Sequence, residues 1–325
     1  MMTAAAIWRN LATRRIGGVQ VGAVVTFNAV IILSLVTAVL QPAFRTAYNL
    51  NDVLRQAVGL GTAAIGQTLV ILLGGIDLSV GSVAKLSEMI AAIIMSGNPA
   101  MIAPAIGAAI GIGVLVGAIN GVLVTYLRIA PFIATFGMFG LLRGVAFLIS
   151  TSPVGQAADP VVTSYDAQTG PVYTVVVVFA ILLILTWIFL ARTPVGRHIY
   201  AVGADVQVAR LAGIRVNLIV IGSYIACTVF AALAGVFLLA RSGSGDPTLG
   251  DSYQFDSITA VVLGGTSLAG GRGGVVGTIG GVLLLSIIDN VFNLGQINAS
   301  YQLLVKGAIL LVAFSLYQQR KQSGG

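Results

Sequence analysis

Charge is what this sequence has least of. It carries 17 Lys and Arg and 10 Asp and Glu among 325 residues, 8% of the chain, where an average soluble domain has about 25%. A chain that is 57% hydrophobic with so few charges cannot clothe a water-facing surface, and a soluble globular fold is excluded. The single Cys227 has no disulfide partner within the chain, which excludes a disulfide scaffold. One Cys and one His, His198, cannot build a metal site, so no metal ligands are expected and His198 reads as an ordinary loop residue. Lys85, Lys306 and Lys321 follow Ala84, Val305 and Arg320, so there is no Gly-Lys from which to make a phosphate-binding loop. Paired acids and a nucleophile with its base are missing too, and no catalytic residue is assigned. Abundant Leu, Ile and Val argue against disorder. What remains is a polytopic membrane protein.

The hydrocarbon core is about 30 Å thick, which a helix crosses in about 20 residues. Stretches without Asp, Glu, Lys or Arg fill 16–44, 56–76, 89–127, 167–191 and 216–240, with shorter runs through most of the rest. Placing helices on the apolar runs and turns on the Gly, Pro and Asn clusters predicts an all-α bundle of about ten spans. They fall at 19–40, 58–74, 82–96, 101–126, 131–150, 172–191, 216–240, 257–269, 275–293 and 300–317. The eighth is too short to cross and reads as a half-helix ending in the glycines of 264–274. Broken backbone at that depth is tolerated only where protein or a water cavity shields it. The 29 uncharged residues after Arg15 exceed a secretory signal core and read as the first span. Residues 1–325 are expected to form a single transmembrane domain.

Basic residues are retained on the cytoplasmic side of short loops. With an inside amino terminus, the inner segments hold Arg9, Arg14, Arg15, Lys85, Arg128, Arg192, Arg197, Arg210, Arg215, Arg272, Arg320 and Lys321. The outer loops hold only Arg45, Arg55 and Arg241, with Asp52, Asp159, Asp166, Asp246, Asp251 and Asp256. That asymmetry predicts both termini in the cytoplasm, and it accounts for the net charge of +7 without nucleic acid.

Forty-one glycines suit close helix packing in a membrane. Gly107/Gly111 and Gly113/Gly117 form small-xxx-small pairs, and Gly273, Gly277 and Gly281 make a second ladder. Polar groups at membrane depth mark functional sites by default, and the candidates for pathway or gate are Asp77, Ser79, Asn120, Arg143, Asp289 and Asn290. Arg143 is placed to pair with Asp289 across the bundle, a role that packing alone also explains. Residues 73–81 read LGGIDLSVG and 263–271 read LGGTSLAGG. Sharing L-G-G-x-x-L-x-x-G at an offset of 190, they suggest two related helix breaks, as in transporters built from internal repeats. Asp77 or Ser79 can cap the helix that follows the first break.

The longest inner connection runs from Arg192 to Arg215. Within it Asp205 to Ala212 can form two turns of helix, with Asp205 as amino-terminal cap and Gly213 as stop. Such a helix, held between two spans, is a lever for a cytoplasmic partner.

Four motifs carry a resemblance across nearly the whole chain: LVILLGGIDLSVGSV at 69–83, NGVLVTYLRIAPFIATFGMFGLLRGVAFLIS at 120–150, GRHIYAVGADVQVARLAGIRV at 196–216 and AVVLGGTSLAGGRGGVVGTIGGVLLLSIIDN at 260–290. In this order they resemble the permease subunits of bacterial ribose-type ABC sugar importers, a family that also carries other pentoses and hexoses, galactofuranose, autoinducer-2 and nucleosides. The resemblance implies a multi-pass inner-membrane protein, both termini cytoplasmic as the loop charges also predict, working with a second permease chain, either identical or related. It also implies two cytoplasmic ATP-binding subunits that hold the ATP and Mg, and a periplasmic or lipid-anchored sugar-binding protein. No cofactor is expected in this chain. The stretch from Asp205 to Gly213 matches the family's coupling helix, so Arg197, Asp205, Gln207, Arg210, Leu211 and Gly213 are the expected ATPase contacts. The family often has acidic residues just before the Ala-Arg-Leu of that helix, and Val206, Gln207 and Val208 stand there in this chain.

The main rival is an ion-coupled secondary transporter, which would use intramembrane carboxylates; here Asp289 is the one clear mid-span acid, with Asp77 and Glu88 near an inner helix end. A channel would want a ring of charges or a repeated carbonyl filter, and none is present in the sequence.

Overall fold

The computed structural model describes residues 15–16 and 19–322, so Arg9 and Arg14 lie outside the described residues. Thirteen α-helices are described: α1 (Val21–Leu40), α2 (Ala47–Leu72), α3 (Val80–Met95), α4 (Ile102–Thr125), α5 (Pro131–Ile149), α6 (Asp159–Asp166), α7 (Thr174–Arg192), α8 (Pro194–Ala204), α9 (Val206–Leu211), α10 (Val216–Ser242), α11 (Tyr253–Leu263), α12 (Val275–Leu294) and α13 (Ala299–Gln322). Two 3-10 turns, Pro42–Arg45 and Pro99–Met101, and two pairs of two-residue strands complete the described elements; the strands pair Arg15–Ile16 with Val19–Gln20 and Gln168–Thr169 with Val172–Tyr173, both antiparallel.

Each of the ten predicted spans falls on a helix. Among the described residues six helices are long and apolar enough to cross a membrane: α1, α4 with the turn before it, α5, α7, α10 and α12. The other four fall short for different reasons. At 16 and 11 residues, α3 and α11 reach only about 24 and 16 Å, so α11 is the half-helix expected before the glycine turn. In α2 the 26 residues are long enough but less apolar, because this helix meets protein on all sides: every residue from Ala57 to Leu72 is buried. The fourth, α13, mixes apolar with polar side chains, ending in Gln318, Gln319, Arg320, Lys321 and Gln322.

At the centre α10 packs against α4, α2 and α3, while α12 packs against α11, α1 and α2. Glycine permits these contacts. A Cβ on Gly113 would sit 2.7 Å from the Thr228 carbonyl oxygen, and one on Gly117 2.5 Å from Ile225 Cα, so this pair is a packing seam with α10. On α12, Gly277 and Gly281 would bring a Cβ to 2.0 Å from the carbonyl oxygens of Gly264 and Ala260 on α11. Gly107 and Gly111 face open space instead.

Candidate transport site

The two predicted breaks lie side by side. At the end of α2 the Gly75 N–H donates to the Val70 carbonyl (3.0 Å), and at the end of α11 the Thr266 N–H donates to Val261 (3.2 Å). Gly74 and Gly265, with φ of 79° and 86°, occupy the left-handed position of the two turns that closes a helix of L-residues. The structural correspondence is therefore 191 residues, one more than the sequence match. The turns touch through the Gly271 N–H, which donates to the Leu72 carbonyl at 2.9 Å. A Cβ on Gly270 would lie 2.8 Å from the Gly74 nitrogen.

The first break is lined with side-chain hydrogen bonds. Asp77 Oδ1 accepts from the Ser79 N–H (2.8 Å) and from the Ser79 hydroxyl (2.6 Å), and the Asn120 amide donates to Ser79 Oγ at 3.0 Å. The Gln67 side-chain amide spans the Asp77 backbone, its nitrogen 3.1 Å from the carbonyl oxygen and its oxygen 3.2 Å from the N–H. From α5, Thr135 donates to the Ile76 carbonyl (3.1 Å). Asp77, Ser79, Gln67 and Asn120 are fully buried, so this loop lies in the interior of the bundle. Asp77 caps the turn rather than the helix, since it satisfies the Ser79 N–H one residue ahead of α3. Ser79, at the cap position, makes no capping bond with its side chain.

Below this loop is a cavity of about 440 Å³ that reaches Gly75 and Tyr224 at its deep end and is bounded by Thr125, Arg128, Asn217 and Arg210. Arg210 belongs to the predicted lever. α9 forms where expected: Asp205 Oδ1 accepts from the N–H groups of Gln207 (2.8 Å) and Val208 (3.0 Å), and Gly213 ends the turn at φ 79°. Ala209 is its buried anchor, packed among Val202, Val216, Leu73 and Ile214. Val208 is 61% and Leu211 89% exposed, and Asp205, Gln207, Arg210 and Gly213 are exposed beside them, as is Arg197 on α8.

α8 went unpredicted, although Thr193-Pro194 is a helix-start signal: the Thr193 hydroxyl accepts from the Gly196 N–H at 3.0 Å. This helix connects the lever to the breaks. A Cβ on Gly203 would fall 1.8 Å from the Leu72 carbonyl oxygen and 2.7 Å from the Gly271 nitrogen. Tyr200 donates its hydroxyl to the Gly273 carbonyl at 2.9 Å.

The remaining pathway candidates lie apart from one another. Asn290 on α12 exchanges two hydrogen bonds with Asn49 on α2, 3.1 and 2.8 Å, and both are buried. The expected Arg143–Asp289 pair does not form. Asp289 instead accepts from Lys306 of α13 at 2.9 Å, as Asp256 of α11 does at 2.8 Å, and Arg143 lies 3.9 Å from Asp251. Asp251 also holds Lys85 at 2.5 Å, so these two cannot lie on opposite sides of the membrane as the loop count assumed. Lys85 is fully buried within α3 and belongs to the bundle interior; the segment carrying Asp251 dips to meet it, a Cβ on Gly81 lying 2.8 Å from the Gly250 carbonyl. In the loop before this dip, two hydrogen bonds from Thr248 hold the Asp246 carboxyl below its ordinary range. Pairings between residues 166 apart in sequence leave no local signal. Among the described residues no group of His, Cys, Asp and Glu fits a metal ion.

Residues 49–314 match the family model described as branched-chain amino acid transport system / permease component. The ribose import permease protein of Escherichia coli (strain K12) is 41% identical over 299 residues, covering 90% of this chain and 92% of that one. That of Bacillus subtilis (strain 168) is 39% identical over 308 residues, covering 91% and 92%. The fructose import permease protein of Rhizobium meliloti is 36% identical over 302 residues, covering 89% and 83%. No solved structure matches. On the extent of both kinds of match, the chain belongs to this family of multi-pass membrane permease components.

Proposed function

We propose that this chain is the membrane-spanning subunit of an ATP-driven importer that passes a monosaccharide across the bacterial inner membrane. An extracytoplasmic binding protein delivers the sugar. Two cytoplasmic ATP-binding subunits dock on residues 192–215, a second permease chain completes the pathway, and both termini face the cytoplasm. The sugar class rests on relatives named for ribose, fructose and allose import. Separate ATPase chains are required because no Gly-Lys occurs in this one.

The observation that carries the reading is the seat of Gly203 on the Leu72 carbonyl and the Gly271 nitrogen. A push on the exposed side chains of α9 travels back through Asp205 and Ala204 to Gly203, and there directly onto both helix breaks. Close-packed elements transmit such a displacement rather than absorb it. The breaks close the bundle above the cavity, so moving them opens or shuts the path beside Asp77 and Asn120.

The ion-coupled alternative loses its clear mid-span acid, because Asp289 is ion-paired with Lys306, which also pairs with Asp256. A carboxylate held by a lysine is a poorer ion or proton site than a free one.

Reconstitution with the ATP-binding subunits and binding protein should give sugar uptake that requires ATP. Uptake by the chain alone, driven by a proton or sodium gradient, would contradict the proposal. Competition by ribose, fructose, allose, a nucleoside, autoinducer-2 and leucine identifies the cargo. In the complete importer, Arg210→Glu and Gly213→Pro should lower uptake severalfold while the binding protein's affinity for sugar stays unchanged; normal coupled uptake in both would sink the docking assignment.

A further inference from the structure

The exposed faces of α5 and α7 differ in one respect. On α7 the exposed side chains Ile181, Ile184, Leu185 and Ile188 are all apolar, as a lipid-facing surface requires. On α5, Phe132, Phe136, Phe139, Arg143 and Phe147 recur at spacings of three and four, which places them on one stripe. Phe132, Phe136 and Phe147 are 55%, 52% and 36% exposed, and the Arg143 side chain is 48% exposed. Arg143 lies 12 residues after the first residue of α5, about 18 Å along a helix that spans about 28 Å. A guanidinium at that depth does not face lipid; it faces water or protein.

Its surroundings are built for a polar ligand with an apolar face. Asp251, with its side chain 36% exposed, lies between Arg143 and the buried Lys85. Arg143 rests 5.8 Å from the ring centres of both Phe139 and Phe147, and Lys85 lies 5.3 Å from Phe147. Phe136 stacks between Phe132 and Phe139 at 6.0 and 5.9 Å. The result is a ladder of aromatic rings with one guanidinium set between Phe139 and Phe147 and one carboxylate beside it.

We infer that this α5 stripe, with Asp251 and Lys85, is a water-facing wall of the translocation pathway and the surface along which the sugar passes. A monosaccharide presents C–H faces that suit the electron-rich face of an aromatic ring. Its hydroxyls both donate and accept, matching Asp251 as acceptor and Arg143 as donor. Stacking on successive rings is only weakly directional, so the ligand is held without being trapped, as conduction demands. Lys85 is the positioning residue: buried and paired, it fixes the Asp251 carboxylate toward the stripe.

This inference rests on the sugar-importer reading, and the test separates the two. In a Cys227→Ala background, Phe136→Cys, Phe147→Cys and, on the lipid face, Leu185→Cys are made in the complete importer in proteoliposomes. A charged, water-soluble thiol reagent should label positions 136 and 147 at least tenfold faster than 185, and D-ribose, D-fructose or D-allose with the binding protein should slow that labelling. Phe136→Ala, Phe139→Ala and Asp251→Asn should each lower uptake by about three- to tenfold with ATP hydrolysis retained, and Asp251→Asn should shift the preference among the three sugars, which a merely structural role would not do. Labelling at 136 no faster than at 185 overturns the inference, as does spontaneous disulfide formation between two copies at Phe136→Cys, which would make the face a protein interface. An unmutated importer that carries none of these sugars refutes the sugar reading, while the labelling ratio, which needs no transport, still decides whether the wall is wet.

Discussion

The two helix breaks have the same backbone turn and opposite linings. The first, between α2 and α3, is held by side chains: Asp77, Ser79, Asn120, Gln67 and Thr135 hydrogen-bond across it in full burial, with Asp77 Oδ2 and Asn120 Oδ1 left without a partner. The second, between α11 and α12, has six glycines among residues 264–274 and is held mostly by backbone. The Ser267 N–H donates to the Arg272 carbonyl at 2.8 Å, the Gly271 N–H reaches Leu72, and the Thr266 hydroxyl accepts from the Gly274 N–H at 3.2 Å. A side-chain network needs a fixed register and resists deformation. A glycine turn lets other backbones approach, and Gly203 and Tyr200 take that opening. On the proposed function the first break acts as the plug, and the second as the joint through which the inner loop reaches it.

Several substitutions would break or sharpen this contrast. Gly203→Val should have the largest effect, because its Cβ would overlap the Leu72 carbonyl. Overpacking of this kind costs about 1–3 kcal/mol, and the loop would lift from both breaks. Uptake should fall about tenfold or more while binding-protein affinity for sugar is unchanged, as measured in proteoliposomes. Asp77→Ala comes next. It strips the acceptor from the Ser79 N–H and hydroxyl in a dry site, at about 1–3 kcal/mol for buried groups left unpaired. A thermal-unfolding shift with Asp77→Asn intermediate would support the plug; equal stability of both variants to the parent would count against it. Thr266→Val removes one bond at the edge of the second break, about 1 kcal/mol, and should leave uptake within about twofold. If it were as damaging as Asp77→Ala, the contrast between the linings would be lost. The smallest change is expected outside the breaks, at Asp246. Its lowered carboxyl contributes stability above its ordinary titration range and loses it only as pH falls through the folded value, so the change in stability between pH 7 and 5 should be the same in Asp246→Asn as in the parent, with the variant less stable by a constant amount.

Much of this architecture was legible in the sequence because membrane burial penalises charge so heavily that charge-free runs mark helices directly. The same rule failed where a charge is buried with a partner. Lys85 sits on an apolar stretch and reads as an inner-loop residue until Asp251 is seen beside it. Asp205 and Gly213 announced α9 through local capping chemistry, which needs no tertiary contact. Gly203 announced nothing, since a glycine required by a distant carbonyl looks like any other glycine. The repeat motif was visible, but its register was one residue out, because shared leucines and glycines aligned better than the turns themselves.

The central claim is that the inner loop and the glycine break move as one body. A Cβ on Gly271 would lie 3.1 Å from the Ala204 Cβ and 2.8 Å from the Ala204 Cα, at a φ of 71°, nearer than the ~3.8 Å usual between the Cβ atoms of a disulfide, so a cysteine pair here closes after a small outward shift. Ala204→Cys with Gly271→Cys, in a Cys227→Ala background and with uptake of the reduced form first shown to match the parent, can lock the two together, and ATP-driven uptake is compared before and after oxidation of the same preparation. The account predicts that the oxidised importer keeps the uptake rate of its reduced form. Loss of uptake on oxidation, restored by reductant, would show that loop and break must separate during transport, and would contradict it.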